Sequence, residues 1–291
     1  MEDLKGKTAF ITGGASGLGL AMAHAFGQAG MQVMLADIDE VPLAQAVAQL
    51  EGRQIRAAGV LCDVVSRAAI QAAAEKTLEI FGKVHVVCNN AGVGAGGPMN
   101  QVKPADWDWV IDVNLKGVIY GMETFLPLVR AHGEGGAFVN TASMAGMISP
   151  PGMEPYSATK FAVVAMSEGW HGQLAGENIH VAALCPGFVK TRINQSGRTR
   201  QAQYGGPVIN PIVPGNLVDS GIDPERVGQR VVESLRAKDL YIFTHPDMRG
   251  AVQTRFGRIM AGFDAADGSS ALAGMAYATP DLTGGFRPSE S

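Results

Sequence analysis

The chain contains few cysteines, few charged residues and few aromatic residues. Three of its 291 residues are cysteines, and Cys62, Cys88 and Cys185 lie far apart in apolar runs. An odd number of distant cysteines argues against a disulfide framework or a metal site, so we expect buried, reduced thiols and no bound metal. Only 17% of the residues are charged and 7% are aromatic, whereas 46% are hydrophobic, which excludes an intrinsically disordered chain.

The distribution of charge and of apolar residues excludes further classes. The formal net charge is −4 and no stretch is rich in lysine or arginine, so we expect neither nucleic acid nor an anionic membrane surface as partner. No run of about 18 uninterrupted apolar residues is present, so no membrane span is predicted. The first residues, MEDLKGK, lack the apolar segment of a secretory signal, and we therefore expect a cytoplasmic protein.

Glycine is abundant instead, with 38 residues, and short apolar runs alternate with segments of helical periodicity. Runs that are apolar on both faces are typical of buried parallel strands. The predicted strands are 8–12, 32–36, 55–61, 84–88, 137–141, 179–184 and 240–243. The predicted helices are about 18–29, 40–51, 66–81, 105–131, 157–176 and 224–237. This alternation predicts an α/β fold with a doubly wound, mostly parallel, seven-stranded sheet and helices on both faces.

The chain length alone favours two domains, at about 150 residues per domain. No internal repeat and no Ser/Pro linker divides the chain, however, so we predict one domain over residues 1–263. Residues 187–223 are rich in Gly, Pro and Asn without a clear period, and we interpret them as a substrate lid within that domain. The small and polar residues 264–291 predict an extended or disordered tail.

A glycine-rich turn, TGGASGLG at 12–19, follows the first predicted strand and opens the first helix. Gly13 allows the tight turn, while Gly17 and Gly19 let a diphosphate approach the backbone at a helix N-terminus. The turn alone is also compatible with an ordinary connection between strand and helix. Its place in a βαβ unit favours a dinucleotide site, to which we also assign Ser16 and Leu18.

Asp37 ends the second predicted strand, 18 residues after Gly19. A carboxylate near this offset binds the 2′-hydroxyl of a ribose and repels a 2′-phosphate. The adjacent Ile38, which we also assign to the cofactor site, and Asp39 bring no Arg or Lys that would accept the phosphate. The pattern therefore predicts NAD rather than NADP, although Asp37 is also a possible helix cap.

The next two predicted strands also end in residues suited to a cofactor cleft, because the carboxyl ends of parallel strands line the ligand crevice. Asp63 is placed to accept a hydrogen bond from an adenine amino group, and we assign both Asp63 and Val64 to the cofactor site. The sequence NNAG at 89–92 follows the fourth strand. Asn89 and Asn90 are each more typical of a structural role in the turn, and Asn90, Ala91 and Gly92 are assigned to the cofactor site.

Tyr156 and Lys160 lie four residues apart in a predicted helix, so both side chains share one helix face. A cation beside a phenol favours the phenolate, and we therefore expect the pKa of Tyr156 to fall below its ordinary value. Alone, this pair is common on protein surfaces. Ser143, thirteen residues upstream, adds a hydroxyl that would hold a substrate oxygen.

Taken in order and spacing, these motifs resemble the short-chain dehydrogenase/reductase family over about residues 5–192. The resemblance implies a Rossmann fold and hydride transfer between a nicotinamide and an alcohol or ketone. It implies that Asn114 positions a relay water, Ser143 holds the substrate oxygen, Tyr156 is the acid/base, and Lys160 binds the ribose and lowers the Tyr156 pKa. It also assigns residues after the sixth strand to the nicotinamide: Pro186, Gly187, Val189 and Thr191.

Residues 240–260 are similar to a bacterial subgroup that includes the Cα-dehydrogenases acting on lignin-derived aryl ethers. The predicted substrate contacts are small or apolar, which favours a hydrophobic substrate: Gly94, Met144, Met147 and Met153. We thus expect an NAD-dependent oxidoreductase acting on the CH–OH group of a bulky hydrophobic or aromatic alcohol, or on the matching ketone. A dehydratase or epimerase on the same scaffold and a non-catalytic nicotinamide-binding regulator are the alternatives.

Two further expectations concern the lid and the assembly. Arg192, Arg198 and Arg200 cluster in the lid, and we interpret them as solvated charges rather than as a clamp for a substrate carboxylate. The predicted helices 105–131 and 157–176 carry broad apolar faces. The family usually associates through these helices, so we predict a homodimer or homotetramer.

Overall fold

The computed structural model describes residues 3–208 and 212–276. Within them, seven parallel strands form one sheet of order β3-β2-β1-β4-β5-β6-β7. The strands are β1 (Thr8–Thr12), β2 (Gln32–Asp37), β3 (Ala57–Leu61), β4 (Val86–Asn89), β5 (Gly136–Thr141), β6 (Ile179–Cys185) and β7 (Tyr241–Phe243). The strand order reverses between β1 and β4, which places the ligand crevice at the carboxyl ends of those strands. The predicted fold class is confirmed.

Helices cover both faces of the sheet. The helices of the unit that contains the sheet are α1 (Gly17–Gln28), α2 (Glu40–Glu51), α3 (Arg67–Phe81), α4 (Pro104–Ile111), α5 (Gly117–Ala131), α6 (Glu154–Leu174), α7 (Gly215–Asp219) and α8 (Pro224–Ala237). A further helix, α9 (Arg249–Asp267), belongs to a separate compact unit. Because successive side chains of a strand point to opposite faces, Phe10 and Ile11 of β1 are both fully buried in different cores. Ile11 packs with Met22 of α1, and Phe10 packs with Phe125 of α5. The three cysteines are buried and unpaired, as predicted.

The predicted helix 105–131 is interrupted. Between α4 and α5, residues Asp112–Lys116 form a π-helical turn. A π turn inserts one residue into the helical ladder and often occurs at functional sites. Here it holds Asn114, which is fully buried. The predicted helix 157–176 begins earlier, at Glu154, because Pro155 is well tolerated in the first helical turn. It also ends earlier than predicted, at Leu174.

The lid contains more regular structure than its composition predicts. Residues Ile193–Thr199 and Ala202–Tyr204 form short 3₁₀ segments, and α7 follows them. The 3₁₀ segments lack the 3.6-residue period by which we identified helices, because their side chains repeat every three residues.

The chain divides into two compact units, Met1–Thr244 and His245–Ser291. The second unit contains α9, which the sequence did not predict, because three glycines lower its helix propensity and none of its side chains is buried. The helix continues to Asp267, so the first residues of the predicted tail are helical rather than extended. Residues 277–291 lie outside the described part of the chain, and the predicted domain limit at residue 263 stays a prediction. Among the described residues, no helix is both long and apolar enough to cross a membrane.

A buried histidine makes the stability of this fold sensitive to acid. His180 lies in β6, and its Nε2 is 3.1 Å from the carbonyl oxygen of Asp239. Burial lowers the pKa of His180 from 6.5 to about 4, and this effect outweighs the hydrogen bond to Asp239, which raises it. The unfolded chain therefore binds a proton at His180 in a pH range where the folded chain does not.

We expect the free energy of unfolding to fall as the pH falls from 6.5 to about 4. His180 would account for up to about 3 kcal/mol of this loss, at about 1.4 kcal/mol per pKa unit. Urea unfolding of the wild type and of His180→Gln at about pH 7 and about pH 4.5 checks this. The variant should lose less stability on acidification, and an equal loss in both proteins would contradict the assignment.

Candidate active site

The glycine turn lies between β1 and α1 and depends on backbone conformations that favour glycine. Gly13 has φ +63° and Gly17 has φ +56°, in the left-handed region. A Cβ on Gly19 would lie 2.1 Å from the carbonyl oxygen of Gly13, so only glycine fits there. Ser16 precedes the helix without capping it through its side chain. The N–H groups of the first helical turn are thereby available for an anion.

Asn90 fixes this turn from the neighbouring strand. Its side-chain amide donates to the carbonyl oxygen of Thr12 at 3.0 Å, and its carbonyl accepts from the hydroxyl of Thr141 at 3.2 Å. The Thr12 hydroxyl in turn accepts from the N–H groups of Asn90 and Ala91, at 2.9 and 3.0 Å. The side chain of Asn90 thus has the structural role that its position in the turn suggested.

Two carboxylates lie at the end of β2. Asp37 accepts hydrogen bonds from the backbone N–H of Ala15 at 3.0 Å and of Asp39 at 3.1 Å, so it braces the glycine turn. The residue that precedes α2 as its N-cap is Asp39, not Asp37. Arg198 of the lid donates to Asp39 at 2.8 Å. An arginine therefore lies near the predicted ribose site, although no basic residue is adjacent to Asp37 in the sequence.

Asp63 follows β3 and is already paired. Both of its carboxylate oxygens accept from the amide nitrogen of Gln201, at 3.0 and 2.9 Å, and one also accepts from the N–H of Val65 at 3.2 Å. Val64 is buried beside it. The sequence did not indicate Gln201 as a site residue, because it lies 138 positions further along the chain.

The side chains of Ser143 and Tyr156 lie next to each other, and Ser143 acts on the pKa of the phenol. Ser143 ends the loop after β5, where its hydroxyl also accepts from the N–H of Ala145 at 3.0 Å and lies 3.4 Å from the carbonyl oxygen of Pro186. Burial raises the pKa of Tyr156, while the hydrogen bond from Ser143 lowers it. In the chain by itself the pKa of Tyr156 is therefore raised rather than lowered, because burial has a larger effect than the hydrogen bond. This is the opposite of the predicted fall.

Lys160 lies beside Tyr156 and is 3% exposed. Its ammonium is 5.5 Å from the centre of the Tyr156 ring and donates to the carbonyl oxygen of Thr141 at 2.7 Å. Burial lowers the pKa of Lys160 from 10.5 to about 8. The lysine is therefore mostly protonated at neutral pH and becomes neutral at moderately alkaline pH.

Asn114, the fourth residue of the predicted catalytic set, lies in the π-helical turn between α4 and α5. Its side chain accepts from the N–H of Val93 at 2.8 Å, donates to the carbonyl oxygen of Val93 at 2.9 Å, and lies 3.3 Å from the Thr159 hydroxyl. A Cβ on Gly92 would lie 3.5 Å both from Asn114 Oδ1 and from Lys160 Nζ. The chain therefore brings Asn114, Lys160, Tyr156 and Ser143 together at the carboxyl ends of β4 and β5.

Comparison with known proteins agrees with this arrangement. The family model described as short chain dehydrogenase matches residues 7–202. The chain belongs to the short-chain dehydrogenase family. The C alpha-dehydrogenase of Sphingobium sp. (strain NBRC 103272 / SYK-6) is 36% identical over 266 residues, which cover 89% of this chain and 87% of that protein. The CLA biosynthesis dehydrogenase/reductase of Lactiplantibacillus plantarum is 30% identical over 273 residues, which cover 89% of this chain and 95% of that protein.

A solved structure shows the same similarity in three dimensions. It is a short-chain dehydrogenase/reductase from Burkholderia phymatum in complex with NAD, with a TM-score of 0.86 and 37% sequence identity. The match covers 90% of this chain and 97% of that one. The resemblance to this family that the sequence motifs indicated is therefore confirmed.

In this short-chain dehydrogenase, the residues predicted to contact the nicotinamide follow β6. Pro186 accepts from the N–H of Met144 at 2.8 Å and so joins this segment to the loop of Ser143. Val189 is buried. A Cβ on Gly17 would lie 3.3 Å from Thr191 Cγ2, which places Thr191 against the glycine turn. Gly187 lies between these residues in sequence.

The predicted substrate residues differ in burial and in their contacts. Met144 and Met147 are buried in the loop after Ser143, and Met153 is half-buried before α6. Gly94 contacts the lid, since its N–H donates to the Ser196 hydroxyl at 3.1 Å. Ile212 of the lid occupies the space where a Cβ on Gly94 would lie, at 2.6 Å. The lid therefore packs directly against Gly94.

Two of the three lid arginines are not solvated charges. Arg200 is 7% exposed, donates to Asp106 at 2.6 Å and lies over the ring of Trp109. Arg198 pairs with Asp39. Arg192 is exposed. The interpretation as solvated charge is thus wrong for Arg198 and Arg200, because both find carboxylates from distant parts of the sequence.

One group of three possible metal ligands occurs among the described residues, at the amino end of β4: His85, His132 and Glu134. The Nδ1 of His85 accepts from the N–H of Thr8 at 3.1 Å, so its neutral ring carries the proton on Nε2, facing Glu134 at 2.9 Å. The Nδ1 of His132 likewise accepts from the N–H of Glu134 at 3.2 Å, and its Nε2 faces the carbonyl oxygen of Val84. Neither neutral ring leaves a lone pair for a metal ion, and the predicted absence of a metal stays a prediction.

Proposed function

We propose that this short-chain dehydrogenase is an NAD-dependent oxidoreductase that interconverts a secondary alcohol and a ketone. The observation that carries the proposal is that Tyr156 and Ser143 lie together beside the buried ammonium of Lys160. A phenol, a second hydroxyl and a cation at the mouth of a dinucleotide-type crevice are the groups needed to move a proton to or from a substrate oxygen.

The residues at the crevice fit a nicotinamide dinucleotide. The uncapped first turn of α1 behind Gly13 and Gly17 suits a diphosphate, and Asp37 suits a ribose hydroxyl. Gly19 provides the close approach that a side chain would block. When bound, the dinucleotide would supply the hydride acceptor or donor, a role that amino-acid side chains do not fill. The NAD complex of the similar Burkholderia phymatum protein supports the choice of cofactor.

Tyr156 is the group placed to exchange a proton with the substrate oxygen. Because burial holds its pKa above the ordinary value of 10, the phenol is protonated at neutral pH and suits the acid step of ketone reduction. Alcohol oxidation requires the phenolate, which higher pH favours. Ser143 stabilises that phenolate through its hydrogen bond and is placed to donate to the same substrate oxygen.

Lys160 and Asn114 would act behind this pair. The ammonium of Lys160 uses one of its three donors on Thr141, so the others remain for a ribose or a water. Asn114 is fixed by Val93 and holds the backbone beside Gly92 in place. We propose that these two residues form the inner end of the path by which the proton reaches solvent.

The substrate class follows from the pocket and from a relative. Met144, Met147 and Met153 offer an apolar wall without charged groups, which favours a bulky hydrophobic or aromatic alcohol. The similar Sphingobium protein is named C alpha-dehydrogenase, which agrees with this class. Reduced nicotinamide absorbance with NAD⁺ and a panel of secondary alcohols, from small aliphatic to bulky aryl, tests it. Highest kcat/KM for bulky aryl alcohols supports the proposal, and highest kcat/KM for small or charged alcohols contradicts it.

Asp37 should determine the preference between NAD and NADP. We expect Asp37→Ser to raise the ratio of kcat/KM with NADP⁺ to that with NAD⁺ by at least about tenfold, because like charges in close contact cost several kcal/mol. In this variant the carboxylate of Asp37 no longer repels the 2′-phosphate, and Arg198, which lies near Asp39, would attract it. Glu51→Ser, which removes one negative charge at the exposed end of α2, is the control. An unchanged ratio in Asp37→Ser would show that Asp37 is not at the ribose.

A further inference from the structure

Part of the lid crosses the predicted adenosine end of the cofactor cleft. We call residues 193–204 the strap. At one end, Ser196 accepts from the N–H of Gly94, near the substrate pocket. At the other, Gln201 donates to Asp63, the residue placed to receive an adenine amino group. The strap thus connects the substrate end of the cleft with its adenine end.

The side chain of Gln201 presents the same pair of groups as the edge of an adenine. Its amide nitrogen donates to both oxygens of Asp63, and its carbonyl oxygen accepts from the indole N–H of Trp109 at 3.1 Å. Adenine carries an amino donor beside a ring-nitrogen acceptor. Gln201 therefore satisfies the carboxylate in the way that the adenine amino group would.

Three ion pairs or hydrogen bonds hold the strap in this position. Arg198 pairs with Asp39 beside the predicted ribose site, and the buried Arg200 pairs with Asp106. The hydroxyl of Tyr204 donates to Asp112 at 2.5 Å, and Tyr204 is itself buried. Every one of these partners is a carboxylate outside the strap.

We propose that Gln201 competes with the adenine of the cofactor for Asp63, so that binding of the adenosine end displaces the strap. This proposal rests on the proposed function, because it requires a dinucleotide in the cleft. The apparent affinity for the cofactor then equals the affinity of the open form multiplied by the fraction of molecules in which the strap is open. By linkage, the adenosine end must open the strap by the same factor by which the strap weakens its binding.

Calorimetric titration with ADP-ribose, which carries the adenosine end without the nicotinamide, measures the competition directly. Gln201→Ala should bind ADP-ribose with a Kd about tenfold lower than the wild type, because Asp63 is released. The matched control is Gln195→Ala in the same strap, whose side chain is exposed and which should bind like the wild type. An equal or higher Kd in Gln201→Ala overturns the proposal and indicates that Gln201 supports the bound adenosine instead.

A second measurement uses the unaltered protein. Arg200 is buried while the strap is closed, so tryptic cleavage after it reports opening. We expect ADP-ribose to increase cleavage after Arg200 in the wild type, whereas a strap that closes over the ligand would be protected. Protection, or unchanged cleavage at saturating ADP-ribose, overturns competition but leaves the cofactor assignment standing. Absence of ADP-ribose binding in all three proteins overturns both proposals.

Discussion

Tyr156→Phe should reduce kcat for alcohol oxidation at least about 100-fold while leaving NADH binding within about twofold of the wild type. The variant removes only the hydroxyl that exchanges the proton, and general acid–base groups contribute about 100- to 10,000-fold. The glycine turn and Asp37 remain intact, so the cofactor site is unchanged. Steady-state kinetics and NADH fluorescence titration give the two quantities separately.

The matched control for this substitution is Tyr120→Phe in α5. The ring of Tyr120 lies under the guanidinium of Arg67, and the residue takes no part in the site around Ser143 and Lys160. We expect this variant to keep the wild-type kcat. Full activity in Tyr156→Phe would remove Tyr156 from the mechanism, whereas equal losses in both variants would point to a general effect of losing a phenolic hydroxyl.

Ser143→Ala should lower kcat about 100- to 1,000-fold, which is the usual cost of removing one preorganised donor to a developing oxyanion. The hydroxyl of Ser143 also lowers the pKa of Tyr156. Its loss should therefore move the alkaline rise of kcat/KM for alcohol oxidation to higher pH. The pH profile separates this role from a merely structural one, because loss of the Ala145 contact alone would not shift the profile.

Ser143→Thr keeps the hydroxyl and serves as the conservative variant. Ser143 has extended backbone angles, φ −176° and ψ 165°, which a β-branched residue adopts readily. We expect this variant to recover most of the activity and the wild-type pH profile. Equal losses in Ser143→Ala and Ser143→Thr would indicate that packing, rather than the hydroxyl, is what the site requires.

The strands and the glycine turn could be predicted because their signals are local. The runs at β1, β2 and β6 are apolar on both faces, and Gly13, Gly17 and Gly19 occur where β1 passes into α1. The same is true of Tyr156 and Lys160, whose spacing within one helix fixes their relation. In each case a few consecutive residues contain the information that determines the geometry.

The contacts of the lid could not be predicted, because they join distant residues. Arg198 and Asp39 are 159 positions apart, and Gln201 and Asp63 are 138 positions apart. The sequence of the lid shows only that it lacks a helical period. Nothing near its arginines in the sequence indicates that they pair with distant carboxylates. The burial that raises the pKa of Tyr156 likewise depends on the surrounding fold and not on the neighbouring Lys160 alone. The predicted homodimer or homotetramer stays a prediction.

Isotope transfer from a labelled substrate shows directly whether the enzyme moves a hydride from the alcohol to the nicotinamide. The preferred secondary alcohol would carry deuterium on its carbinol carbon, and the NADH formed by the wild type would be examined by NMR or mass spectrometry. We expect one deuterium per NADH in the wild type and no labelled NADH above background in Tyr156→Phe over the same time. Deuterium released to solvent, or turnover of the alcohol to a dehydrated or epimerised product without labelled NADH, would contradict hydride transfer.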